Sequence, residues 1–288
     1  MLTGQQLLRS DPYRHTLRIM SDSSSDAEFV GAIPALYESV LVPMIFEEPA
    51  RALAASIAAL RPRNILETAA GTGVLTRELV EIGEVAIVAT DLNAAMIEAA
   101  RSRLSSDHVH WQVADAMVLP FDDESFDVVA CQFGAMFFPD KVGGYAEAAR
   151  VLRPRGSFVF NVWDRIDTSA VADVVTSALC AAAPDDSLDF LRRTPHGYFD
   201  VPAIEHDLSA AGYDDIRIES MDGTSRSTAR DGAVAYCQGT PLRGEIEQSS
   251  LGLEQATVIA TAALEARFGS GTFDAPTRWF QVSASSRS

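Results

Sequence analysis

The residues best equipped for chemistry lie between Asn64 and Asp91. Asn64–Leu79 reads N-I-L-E-T-A-A-G-T-G-V-L-T-R-E-L. Ile65 and Leu66 end an apolar run, Gly71 and Gly73 bracket a turn, and Leu75, Leu79 and Ile82 follow at helical spacing. Strand, glycine turn, helix is how open α/β sheets build a nucleotide site at the carboxyl ends of their strands. Glycine lets the backbone come close to a ligand because no Cβ intervenes. Thr76 stands where a dinucleotide fingerprint needs its third glycine, so the pattern is one short. Glu67, at the strand end, would repel a pyrophosphate but could pair with an ammonium. Val85 to Thr90 reads as a second strand closed by Asp91, an acid placed to accept hydrogen bonds from both ribose hydroxyls. A ligand with an amino group, a ribose and no phosphate is S-adenosylmethionine.

E-T-A-A-G-T-G at Glu67–Gly73, with Ala69 inside it, resembles motif I of the class I S-adenosylmethionine-dependent methyltransferases. The likeness covers about Arg51 to Asp164 and is strongest toward small-molecule enzymes related to those of ubiquinone and menaquinone biosynthesis. It implies an α/β fold: a Rossmann-like, doubly wound, seven-stranded sheet with the last strand antiparallel, plus helical insertions that form a lid. It implies S-adenosyl-L-methionine as cofactor, Asp91 as the ribose acid, and Asp115-Ala116 as the pair bracketing the adenine. Leu152–Gly156, L-R-P-R-G, is similar to the turn before the family's fifth strand. Weaker likeness extends to Phe29–Tyr37 and Thr194–Tyr198.

Several further positions carry two readings. Tyr37 either approaches the cofactor or packs a cap onto the core. Leu92 and Met96 either touch the adenine edge or, for Met96, fill plain core. Phe126 to Cys131 reads as a central strand that delivers Cys131, Gln132 and Phe133 to the carboxyl edge, near the point of methyl transfer. Cys131 has no indicated activating base, so a buried structural thiol is the stronger reading. Cys-Gln-Phe-Gly departs from the Asn-Pro-Pro-Tyr of enzymes that methylate exocyclic amines. Trp163 and Asp164 end the fifth strand and face an acceptor, with helix capping as the competing role for Asp164. In the aromatic stretch that follows, Arg192 and Tyr198 are acceptor-binding candidates and His196 is the nominated base. A turn-capping histidine and a solvated arginine are the bland alternatives.

The 288 residues are expected to divide into a polar tail over 1–26, a helical cap over 27–60, and a methyltransferase domain over 61–288. Insertions at about 168–200 and 229–270 would cover the acceptor. The sixth strand is expected at Asp215–Met221 and the last at Thr277–Val282. Formal net charge is −17, which disfavours a phosphate-tracking nucleic-acid surface. Three dispersed cysteines fit neither a disulfide framework nor a zinc site, His108 and His110 lack completing ligands, and no metal is expected. No secretory pattern or membrane-length apolar run is read, so a cytoplasmic enzyme is expected, with a small-molecule acceptor and no membrane or nucleic-acid partner; closing the pocket and making a homodimer contact are the two roles open to the second insertion. A NAD(P)-dependent oxidoreductase and a non-catalytic S-adenosylmethionine-binding protein are the competing functions.

Overall fold

The computed structural model describes residues 36–286. The expected 1–26 tail and the first part of the cap, with the Phe29–Tyr37 likeness up to residue 35, lie outside them. Seven strands form one sheet: β1 Asn64–Glu67, β2 Ala86–Asp91, β3 Val109–Val113, β4 Phe126–Gln132, β5 Leu152–Trp163, β6 Tyr213–Thr228 and β7 Thr272–Ser286. Their order is β3-β2-β1-β4-β5-β7-β6. β1 to β5 run parallel, and β7 is antiparallel to both β5 and β6. The order reverses between β1 and β4, which opens a crevice at their carboxyl ends.

The central strands form because both of their faces are buried. Ile65 and Leu66 of β1, and Val128 to Cys131 of β4, are almost wholly enclosed. Asp127 is the exception and sits at the amino end of β4. Its carboxylate accepts N–H bonds from Arg63 (2.8 Å) and Asn64 (3.0 Å) and pairs with Arg153 (2.5 Å), tying β1 to the start of β5.

The last two strands are far longer than expected. β6 pairs with β7 from Tyr213↔Ser286 to Thr228↔Thr272. Asp222 to Thr228 holds only polar residues and glycine, so that half of β6 shows no apolar alternation. It is held by the ladder and by its edge position, where most of its side chains meet water.

Helical segments precede and follow β6 in sequence, and the helix Val201–Ala210 lies past the expected 168–200 insertion. Between β5 and β6 run Ala170–Ala182, Phe190–Arg193 and Val201–Ala210, and between β6 and β7 run Ala229–Gln238, Leu242–Gln248 and Leu253–Phe268. Ahead of β1, Tyr37–Phe46 is a π-helix that carries Pro43 inside it and continues into the helix Glu47–Ala59. Glu38 anchors this segment through Arg77 (2.9 Å) and Arg103 (3.6 Å), which stand on the helices after β1 and β2.

Gly73 owes its identity to this packing. It has φ +82, and a Cβ would lie 2.7 Å from the Trp111 ring and 3.3 Å from Ala100 Cβ. At Gly71, with φ +56, a Cβ would meet nothing within 4 Å. Gly73→Ala is expected to cost roughly 2–4 kcal/mol and Gly71→Ala only about 1 kcal/mol. Urea melts check this, and equal losses would contradict it.

Candidate functional site

The site grows from the turn after β1. Thr90 Oγ1 donates to the Glu67 carbonyl (3.0 Å), and the Ala70 N–H donates to the Thr90 carbonyl (2.9 Å). The ends of β1 and β2 are thereby locked together. Asp91 then accepts the Gly71 N–H on one carboxylate oxygen (2.8 Å) and the Asn93 N–H on the other (2.8 Å). Burial raises the Asp91 carboxyl above its ordinary range, and those two N–H groups work against that rise. The oxygen that accepts from Gly71 keeps a further lone pair for a ligand hydroxyl, while the other also accepts the Asn93 side-chain amide at 3.4 Å.

A cavity of about 360 Å³ opens from this turn along the carboxyl edge of the sheet. Ala69, Gly71 and Asp91 line its near end, with Leu92, Met96, Asp115 and Ala116 beside them. Tyr37 and Gln132 line its middle, and the Gln132 amide donates to the Phe46 carbonyl at the end of the π-helix (2.9 Å). Phe133, Trp163 and His196 line the far end. Phe133 stacks on Trp163 with ring centres 3.8 Å apart and planes 7° apart. Phe46 leans on both rings, at 5.6 and 6.0 Å, and Tyr37 stacks on Phe46 at 4.9 Å. These rings form one aromatic block on the cavity wall.

His196 is buried, and its Nδ1 lies 2.7 Å from the Asp164 carbonyl. A carbonyl only accepts, so Nδ1 carries the proton and Nε2 is left as an acceptor. Burial pushes the imidazole down to about 4, so it is neutral at physiological pH. The Asp164 N–H in turn donates to the Arg278 carbonyl on β7 (3.2 Å), which fixes the carbonyl that holds His196.

Five expected site residues are not on the cavity wall. Glu67 is buried behind the turn, where Thr76 Oγ1 donates to one of its carboxylate oxygens (2.6 Å). Gly73 backs onto Trp111 instead of facing a ligand. The Asp164 carboxylate folds onto the Arg165 N–H (2.6 Å), and the residue reaches the site only through its carbonyl. Arg192 is half exposed and lies 3.7 Å from Asp173, on the outer side of its short helix. Tyr198 is drawn away by Asp207 (2.8 Å) and the Tyr145 hydroxyl (3.3 Å). Cys131 is fully enclosed and burial pushes its thiol up to about 11, as suits a structural thiol.

The sequence reading missed the bulk of the far wall. Met136, Phe137 and Phe138 line it from the segment after β4, as do Phe190, Leu191 and Tyr236 from the insertions. The run M-F-F-P at Met136–Pro139, straight after a central strand, was the available signal.

The near end fits an adenosine ligand without phosphate. Open space beside a left-handed Gly71 leaves room at the backbone, and two carboxylates at adjacent strand ends supply acceptors. Among the described residues no lysine or arginine lines the cavity, so they offer a pyrophosphate no cationic side chain. Among the described residues no group of three His, Cys, Asp or Glu could hold a metal, and no helix is long and apolar enough to cross a membrane.

Burial pushes the Glu67 carboxyl up to about 8, offset in part by the Thr76 hydroxyl. The folded state therefore holds a proton that the unfolded chain releases near 4.5, and stability falls as pH rises from 4.5 toward 8. Glu67→Gln removes this slope. The variant is expected to gain on the order of 1–3 kcal/mol over the wild-type protein between pH 5 and pH 8.5 in denaturant melts, and a constant difference would contradict it.

Comparison with known proteins agrees with this geometry. A methyltransferase-domain family pattern matches residues 66–160. The demethylmenaquinone methyltransferase of Deinococcus radiodurans is 40% identical over 112 residues, which are 38% of this chain and 46% of that protein. The demethylmenaquinone methyltransferase of Mycobacterium sp. (strain KMS) is 33% identical over 169 residues, 56% of this chain and 71% of that protein. The YcgJ protein of Bacillus subtilis shares the fold with TM-score 0.53 at 15% identity, over 84% of this chain and 99% of that one. Phosphoethanolamine N-methyltransferase 2 of Haemonchus contortus, solved with S-adenosyl-L-methionine, shares it with TM-score 0.55 at 17% identity, over 89% of this chain and 56% of that one. With this sheet order, this turn and these relatives, the chain belongs to the class I S-adenosylmethionine-dependent methyltransferases.

Proposed function

We propose that this chain moves the methyl group of S-adenosylmethionine to oxygen or carbon of a small, neutral, apolar or aromatic acceptor in the cytoplasm. One observation carries the reading: a single cavity joins the Gly71–Asp91 turn to an aromatic wall that holds a neutral histidine. Among the described residues, no carboxylate, lysine or arginine beyond Asp91 and Asp115 lines it, so a charged acceptor would be desolvated without a partner from them. The relatives named for demethylmenaquinone support a ring of quinone type as the acceptor class. The competing oxidoreductase reading finds no support: Thr76 stands where a dinucleotide turn has its third glycine, and the relatives are methyltransferases.

In this reading Asp91 takes the ribose hydroxyls, the Gly71 backbone leaves room for the amino-acid end, and Leu92, Met96, Asp115 and Ala116 enclose the adenine. Bound there, the cofactor supplies an electrophilic methyl group on a positive sulfur. The chain's own work is positioning, exclusion of water and movement of one proton. The Phe46–Phe133–Trp163 block keeps water from the transfer point and holds an acceptor ring in place. Alignment of this kind can lower a barrier by roughly 7–11 kcal/mol. His196 Nε2 accepts the acceptor's hydroxyl proton while Nδ1 stays on the Asp164 carbonyl. On a phenol-like acceptor, loss of that proton activates the oxygen or the ring carbon beside it.

Asp91→Ala is expected to weaken S-adenosylhomocysteine binding by at least tenfold in calorimetry, and unchanged affinity would contradict its role. His196→Gln is expected to leave that affinity intact and to slow methyl transfer by about 10²–10⁴-fold. With His196 pushed down to about 4, the base is free of its proton throughout the neutral range. The rate should therefore stay flat as pH falls from 7.5 to 5.5. A loss centred near the ordinary histidine value of about 6.5 would contradict it.

A further inference from the structure

The far half of the cavity contains one polar group with no task so far. Tyr236 stands on the helix Ala229–Gln238 of the second insertion, and its side chain forms part of the cavity wall. The residue is only 6% exposed, yet no described residue hydrogen-bonds its hydroxyl. The oxygen is not sealed inside protein, unlike the orphaned Trp279 Nε1, and the residue that carries it lines the cavity.

Other buried tyrosines behave differently. Tyr145 and Tyr198 share a hydroxyl contact of 3.3 Å, Tyr198 donates to Asp207 (2.8 Å), and Tyr213 donates to the Tyr145 carbonyl (3.1 Å). The other hydroxyls on the cavity wall are also engaged. Ser169 and Thr277 bond each other at 3.0 Å, and Thr240 Oγ1 donates to the Tyr236 carbonyl (2.6 Å). Among the described residues, the acceptor Nε2 of His196 and the donor O–H of Tyr236 remain unspent there. A buried donor left without an acceptor costs about 1–3 kcal/mol, and a phenylalanine would fill the same space without that cost. Desolvation also drives the phenol above its ordinary range, so it stays protonated and can only gain by donating to a neutral or anionic oxygen.

We propose that Tyr236 is a second acceptor-recognition group, whose O–H donates to an acceptor oxygen other than the one that gives its proton to His196. The acceptor then carries two oxygen functions: one ionisable hydroxyl and one carbonyl, ether or second hydroxyl. This rests on the methyltransferase reading of the cavity and adds a specificity rule to it. Sites built around a buried donor reject analogues that lack the matching oxygen far more strongly than apolar pockets reject a change of size.

The test reads binding, so it does not depend on turnover. Calorimetry on the protein saturated with S-adenosylhomocysteine would compare 2-, 3- and 4-methoxy-1-naphthol with the corresponding ethyl-1-naphthols. These pairs match in size and differ by one acceptor oxygen. At one ring position the methoxy compound is expected to bind roughly tenfold more tightly than its ethyl partner. Tyr236→Phe should erase that preference and leave the affinity of the ethyl compound within about twofold. The proposal is overturned if the wild-type protein shows no preference at any position, if no naphthol binds, or if the variant keeps the preference. Failure of S-adenosylhomocysteine to bind would instead strike the methyltransferase reading itself. An intact preference without methyl transfer would strike only the reaction assigned above.

Discussion

The site depends on the hydrogen bond from the Gly71 N–H to the Asp91 carboxylate. It joins the turn after β1 to the tip of β2, and the backbone at Gly71 that makes it is left-handed, with φ +56. A charged-acceptor bond of this kind is stronger than a neutral one, and its shielded position keeps it so. The Ala70–Thr90 and Thr90–Glu67 bonds beneath it leave little freedom for either strand end. The result is an acidic, open-sided notch at the point where the strand order reverses. Everything placed around that notch either encloses it or extends it.

Extension falls to aromatic rings. The sheet delivers Phe133 from β4 and Trp163 from β5 at neighbouring strand ends, and the two rings stack because those strands are adjacent. Phe133 accepts a left-handed backbone to reach that stack, and Asn161 holds its N–H at 2.9 Å. The π-helix lays Phe46 over both rings, so the three form one aromatic block on the cavity wall. The long β6–β7 ladder serves the site indirectly. It carries the second insertion over the far half and, through Arg278, braces the Asp164 carbonyl that orients His196.

Legibility in the sequence followed the range of the forces involved. The glycine turn, Asp91 and the parallel core were readable because local geometry and continuous apolar runs write them into short stretches. Glu67 was found for its position, but its side-chain partner was not. Nothing in E-T-A-A-G-T-G reveals that Thr76, nine residues on, turns its hydroxyl toward that carboxyl. Asp164, Arg192 and Tyr198 were drawn elsewhere by partners distant in sequence or by the way the chain turns locally. The far wall was hardest to see, because Phe190 and Tyr236 come from insertions whose helical pattern does not state which face meets the sheet. Polar stretches such as Asp222–Thr228 carry no alternation, and only the ladder with β7 makes them strand.

The central claim is that one notch and one cavity place a sulfonium nucleoside beside a neutral acceptor space. The most direct measurement is a crystal structure with S-adenosylhomocysteine bound. The expected result is a ribose on Asp91, an adenine beside Asp115, and a sulfur facing the open space next to Phe133, Trp163 and His196. A nucleoside bound anywhere else, or a sulfur turned away from the aromatic wall, would contradict the account.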